Sequence, residues 1–172
     1  MPVYVIRHEI RCSNDPSFFS PLTAEGKQNA IALIQKLDSL KIEHVFSSPF
    51  LRCIQTVLPY CWKYGINMRI ENSLYECLSS TRFTTSDIQT TMSSETKIAL
   101  GIQNGYKSWT HLDEIKLDQY PLKRVEDFVE YVRTMFSPTS SVLICTHMDC
   151  INTIFGQPKG THVPMGEIIE IR

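Results

Sequence analysis

The stretch "VYVIRHEIRCSN", residues 3–14, begins as a strand and ends in charge. Val3, Tyr4, Val5 and Ile6 are β-branched or aromatic, the types that fill a pleated, half-buried surface, and the polar Arg7 and His8 follow at once. A second stretch behaves alike: "SVLICTH", residues 141–147, is apolar through Cys145 and ends on Thr146 and His147. Two buried strands that each deliver a histidine to their carboxyl ends frame everything between them.

Between them, strand and helix patterns alternate. "LTAEGKQNAIALIQKLDSLK", residues 22–41, places Ala30, Ile31, Leu33, Ile34, Leu37 and Leu40 at mixed spacings of three and four, an amphipathic helix with Thr23 as its N-cap. "EHVFSS", residues 43–48, reads as a short strand. Ser48-Pro49 then reads as a helix start, a capping hydroxyl followed by a proline that lacks only an orphan amide. That helix runs to about Trp62, bent at Pro59. "MRIENSLYEC", residues 68–77, predicts a third strand and an extended turn. "LKRVEDFVEYVRTMF", residues 122–136, is a helix through Val125, Phe128, Val129, Val132 and Phe136, and "GEIIEIR", residues 166–172, is a last strand whose one polar face suits a sheet edge. The alternation predicts an α/β fold, a three-layer α/β/α arrangement with a mainly parallel central sheet and ligands bound outside the carboxyl ends of its strands.

The chain has 172 residues, 42% of them hydrophobic, which suits a single domain spanning 1–172 with a variable, poorly patterned insertion at about 79–120. Its 17 basic and 18 acidic residues leave a net charge of −1, spread without runs. The expectation is therefore no nucleic-acid partner and no membrane surface. No apolar stretch approaches the roughly 20 residues that span a bilayer, and the first strand begins with no signal-like leader, so a cytoplasmic protein is expected.

Cys12, Cys53, Cys61, Cys77, Cys145 and Cys150 are expected to be reduced and mostly buried. No CxxC pair marks a zinc site, and the spacing of Cys145, His147 and Cys150 is a weak metal signal. No cysteine has an arginine six residues downstream, the arrangement a cysteine-based phosphatase uses.

Arg7, His8, Arg52 and His147 converge on one sheet edge in this topology. Two arginines and two histidines there repel one another unless an anion sits among them. The anion must be compact and highly charged, and phosphate fits, its oxygens matching the planar fork of arginine.

These residues resemble the histidine phosphatase superfamily, which includes phosphoglycerate mutases, fructose-bisphosphatases and acid phosphatases. The resemblance rests on "VIRH", "LTAEGKQNA", "SSPFLRCIQT", "SLYE" and "ICTH" in that order, and only about 80–120 is unmatched. It implies a phosphoglycerate mutase-like fold. It also implies a phosphomonoesterase that needs neither a metal nor a cofactor, in which His8 attacks phosphorus to form a phosphohistidine that water hydrolyses. Arg7, Arg52 and His147 would hold the equatorial oxygens. Glu76 would be the proton donor and then the base, a role for which burial is expected to raise its pKa toward neutrality.

The sequence departs from the family pattern at Glu9, where a glycine usually follows the histidine. Arg11 stands where acid phosphatases and the tyrosine phosphatase-like branch carry an arginine, and is a candidate third phosphate ligand. Asn14 matches the mutase-like loop, as phosphate ligand or turn residue. Asp149 is a second candidate proton donor. Tyr75, Phe83, Tyr106 and Trp109 are candidates for an aromatic mouth or for packing. The substrate is expected to be a phosphorylated small molecule or a phosphoprotein. The alternatives are mutase-type phosphoryl transfer, which needs a lid this chain has little material to build, and a non-catalytic module that binds phosphorylated ligands.

Overall fold

The computed structural model describes residues 1–14, 17–77, 92–111 and 120–172. Strands β1 (Val3–Arg7), β2 (His44–Ser47), β3 (Arg69–Ile70), β4 (Val142–Thr146) and β5 (Ile168–Ile171) form one sheet in the order β3-β2-β4-β1-β5. β1 and β2 run parallel to β4 on either side of it, and β3 runs parallel to β2. β5 is antiparallel to β1 and forms the edge that its alternating pattern predicts. Arg7 pairs with Thr146 and Ser47 with Cys145. The carboxyl ends of β1, β2 and β4 are therefore nearly level, and His8, Ser48 and His147 leave the sheet side by side.

Among the described residues there are five α-helices: α1 (Ala24–Asp38), α2 (Leu51–Tyr64), α3 (Ser94–Ala99), α4 (Lys123–Met135) and α5 (Met148–Ile154). Alternate strand residues face opposite layers. Ile6, Val45, Leu143 and Cys145 pack with Leu33 and Leu37 of α1 and with Ile54 and Val57 of α2. Val3, Val5, Phe46, Val142 and Ile144 pack with Phe128, Val129 and Val132 of α4 and with Ile151 of α5. Both faces are covered, which is why β4 is apolar until its last residue. Burying each of these larger side chains stabilises the fold by about 1.5–3 kcal/mol.

Thr23 caps α1 as its sequence predicts, its hydroxyl accepting from the Gly26 amide at 3.0 Å. Gly26 matters for a second reason. A Cβ there would come within 2.3 Å of the Ile10 carbonyl oxygen, so a glycine lets α1 press against the loop that follows β1. The second helix departs from expectation. It starts at Leu51, with Phe50 in the cap position and no side-chain cap bond, while the interior Pro59 is as expected and the helix ends at Tyr64, where Gly65 turns left-handed at φ 65°. The third strand shrinks to Arg69–Ile70, and the chain leaves the sheet in a 3-10 turn over Asn72–Leu74. Of the expected insertion, residues 92–111 contain α3 and a bridge from Ile102 to Met68. Residues 79–91, 112–119 and with them Phe83 lie outside the described residues. Among the described residues no helix is long and apolar enough to cross a membrane.

Candidate active site

His8 follows β1 directly, and its amide donates to the Thr146 carbonyl at 3.0 Å, which fixes it against β4. Its Nδ1 lies 2.8 Å from the carbonyl oxygen of Glu9. A carbonyl only accepts, so Nδ1 carries the proton and Nε2 keeps its lone pair. The ring is 4% exposed. Burial, together with the cations His147 and Arg52, holds its pKa well below the usual histidine range. His8 is therefore a neutral imidazole with one basic nitrogen.

Arg52, the second residue of α2, is 1% exposed. Its guanidinium lies 4.3 Å from the centre of the Phe50 ring, and its Nη2 is 3.4 Å from both Glu76 Oε2 and His147 Nδ1. Among the described residues, Arg52 Nε and Nη1 and Arg7 Nε are buried without a hydrogen-bond partner. Arg7 is tied down at its other end, Nη1 donating to the Val163 carbonyl. A buried donor left unsatisfied costs about 1–3 kcal/mol. Three such N–H groups on two cations form a ready seat for a multiply charged oxyanion.

His147 opens α5 and is fully buried. Its ring centre is 5.3 Å from that of His8, the two meeting edge to face. Its Nε2 lies 2.9 Å from Ser48 Oγ, and its Nδ1 lies 3.2 Å from Glu76 Oε2. Burial alone would discharge His147, but the Cys53 sulfur and the Glu76 carboxylate beside it outweigh burial and raise its pKa. Glu76 shows the opposite balance, and it corrects the sequence expectation. Burial does push its pKa upward, yet His147 and Arg52, by charge and hydrogen bond, hold it below the usual carboxylate range. The Glu76–His147 pair is an ion pair with its proton on the imidazole.

Arg11 lies near this cluster, since its charge lowers the pKa of both Arg7 and Arg52, and its Nη1 donates to the Cys12 carbonyl at 3.0 Å. Asn14 stands apart. It is exposed, and its Oδ1 accepts from Ser13 Oγ at 3.4 Å; no contact to the arginines is found among the described residues. Asp149 accepts at its Oδ1 from the Gly160 amide at 2.8 Å and from Asn152 at 3.4 Å, and its charge reaches Arg7, whose pKa it raises against burial. The aromatic candidates that are described serve packing. Tyr75 is fully buried against Phe50, Tyr106 donates to Glu71, and Trp109 stacks on Tyr131. All six cysteines are free, five of them buried. Among the described residues no group of three or more His, Cys, Asp or Glu side chains could hold a metal ion.

Sequence reading missed two features. Ser48, read as a cap, instead faces His147; its partner is 99 residues away and leaves no local signal. Glu9 is 4% exposed and braced on three sides. Its amide donates to Thr56 Oγ1 at 2.9 Å, Asn29 donates to its Oε2 at 3.2 Å, and its Oε1 lies so close to Gly166 that a Cβ there would be only 1.8 Å away.

The sequence profile of the histidine phosphatase superfamily (branch 1) matches residues 19–171, beginning after β1 and the loop that follows it, so that Arg7 and His8 precede the match. No curated protein sequence matches the chain. Solved structures resemble it over nearly its whole length. The ecdysone phosphate phosphatase of Bombix mori, in complex with tungstate, superposes with a TM-score of 0.68 at 14% identity, over 99% of this chain and 88% of its own. The α-ribazole phosphatase of Shigella flexneri gives 0.62 at 18%, over 99% and 89%. YhfR of Bacillus stearothermophilus gives 0.62 at 18%, over 96% and 87%. The profile match over most of the chain, on a mainly parallel α/β/α fold shared with these structures, places the protein in the histidine phosphatase superfamily.

Proposed function

We propose that the protein is a metal-independent phosphomonoesterase that works through a phosphohistidine on His8. The observation that carries this reading is His8, its Nδ1 held by the Glu9 carbonyl so that Nε2 keeps its lone pair, together with three buried arginine N–H groups that have no partner among the described residues. Fixed donors of this kind stabilise charge that spreads over equatorial phosphoryl oxygens without reorganising during the reaction. Two similar structures are phosphatases by name, and one was solved with tungstate, an oxyanion of phosphate's shape.

In the first step His8 Nε2 forms a bond to phosphorus as the bond to the ester oxygen breaks. The leaving alkoxide takes a proton from Glu76. In the second step water attacks phosphorus, the N–P bond breaks, and Glu76 takes the water's proton, releasing phosphate and neutral His8. Glu76 needs a proton before the first step, yet His147 and Arg52 hold it ionised. A bound phosphate dianion offsets those two cations and returns proton affinity to the carboxylate. Substrate binding and loading of the acid are thereby one event. Arg11 adds a further cation at the rim. Six free thiols suit a reducing, cytoplasmic setting.

The test is chemical trapping. Brief incubation with phosphorus-labelled substrate leaves acid-labile, base-stable label on His8, and His8→Ala takes up none and does not turn over while remaining folded. Acid-stable label, or label on another residue, would sink the mechanism.

A further inference from the structure

The segment that carries Glu76 has left the sheet, yet each of its carbonyl groups is held by a side chain from elsewhere. The Ser73, Tyr75 and Glu76 carbonyls accept from the guanidinium of Arg124, at 2.5, 2.9 and 3.2 Å. The Leu74 carbonyl accepts from Thr146 Oγ1 at 2.9 Å, and Tyr75 also receives the Cys150 thiol at 3.2 Å. Of these side chains, Arg124 alone reaches the carbonyl of Glu76 itself. Its place in the chain is unusual. Arg124 is the second residue of α4, so its cation sits at the helix end where the macrodipole is positive and disfavours it. The three carbonyls are what offset that placement, and only a planar fork can reach them together.

We propose that Arg124 is a positioning residue for proton transfer: it clamps the backbone of residues 73–76 so that the Glu76 carboxyl stays aimed at the leaving oxygen. The inference rests on Glu76 being the proton donor, as argued above. The geometry supplies the reason a clamp is needed. The Glu76 side chain is drawn toward His147 and Arg52 by charge, while its backbone has no ladder partner. A displacement of about 1 Å in such a group can cost about 100-fold in rate.

The experiment measures the rate of the phosphorylation half-reaction, by rapid quench for an alkyl phosphate and as the burst for p-nitrophenyl phosphate. It compares wild type, Glu76→Gln, Arg124→Met and the double variant. An alkoxide requires a proton to leave and p-nitrophenolate does not. Arg124→Met is expected to slow the alkyl phosphate on the order of 10- to 100-fold and p-nitrophenyl phosphate by less than about 3-fold. In the Glu76→Gln background it is expected to cause no further loss. Arg124→Lys keeps the charge but not the fork, and gives a smaller loss of the same selectivity should the methionine variant fail to fold. If Glu76→Gln is selective but the arginine variants slow both substrates equally, or add their full loss to that of Glu76→Gln, Arg124 is only a strut and the proposal is overturned. If Glu76→Gln itself is not selective, the reading of Glu76 as the acid falls, and the clamp's role falls with it.

Discussion

The Glu9 carbonyl oxygen and His8 Nδ1 are 2.8 Å apart, and that single contact decides which nitrogen of the ring can attack. It has a direct spectroscopic consequence. In protein labelled with 15N-histidine, the His8 ring will remain the neutral Nδ1–H tautomer at pH 6, since its pKa is lowered by burial and by the neighbouring cations. The sign for stability follows. Below about pH 6.5 an unfolded chain protonates this residue while the folded one resists, so acid works against the fold at His8. A ring that titrates like a free histidine, or that carries its proton on Nε2, contradicts this arrangement.

Gly166 and Glu9 form a matched pair. Gly166 has φ 68°, its amide donates to the Arg7 carbonyl at 3.0 Å, and a Cβ on it would overlap the Glu9 carboxylate. Gly166→Ala will displace Glu9 and with it the carbonyl that orients His8, lowering kcat by roughly 10- to 100-fold. Glu9→Gly removes the overlapping carboxylate. The double variant is therefore expected to recover much of that loss, with a coupling of about 0.5–3 kcal/mol in the cycle. Strictly additive effects on kcat would show that the two positions do not act on one another.

Glu71 is fully buried and accepts from the Ser73 amide and hydroxyl, the Ser108 hydroxyl, the Tyr106 hydroxyl and the Trp109 amide, at 2.7–2.9 Å. Burial and the Glu71 carboxylate together raise the pKa of Tyr106, which keeps its phenol a donor. Glu71→Gln turns one acceptor oxygen into a donor that faces other donors. The expected loss is about 3 kcal/mol, read as a fall in melting temperature of roughly 6–12 °C at 2–4 °C per kcal/mol. A change within 2 °C would mean that the carboxylate is not what holds residues 106–110 in place.

Loading of Glu76 by the anion can be measured without turnover. Titration calorimetry of tungstate in two buffers of different ionisation enthalpy will show proton uptake at pH 6, at most one per site and smaller as pH rises. The sign follows from the carboxylate, held ionised by His147 and Arg52 and, once the dianion offsets those cations, left to burial, which pushes its pKa above the ordinary carboxylate range. Glu76→Gln will abolish the uptake. Uptake that persists in that variant assigns the proton to another group.

The strands that end on His8 and His147 were legible because buried parallel strands are apolar throughout and stop abruptly. The helix face of α1 and its Thr23 cap were legible because both depend on local spacing. What could not be read depends on pairs distant in sequence. Ser48 has the composition of a cap, and only the level ends of β2 and β4 show that it faces His147. The pKa expected for Glu76 followed from burial alone and had the wrong sign, because two cations outweigh burial there. Arg124 carries no local signal at all, because the carbonyls it holds lie 48 to 51 residues earlier in the chain.

The unmatched N–H groups of Arg52 and Arg7 have a consequence for the whole fold. Donors that find no partner among the described residues make the chain less stable than its packing alone would allow, and a fitting oxyanion restores the difference. By mass action, an oxyanion present at 100 times its dissociation constant adds about 2.7 kcal/mol to the unfolding free energy, or roughly 5–11 °C of melting temperature for a chain of this size. The melting curve thus becomes a gauge of site occupancy, usable on unlabelled protein before any substrate has been identified.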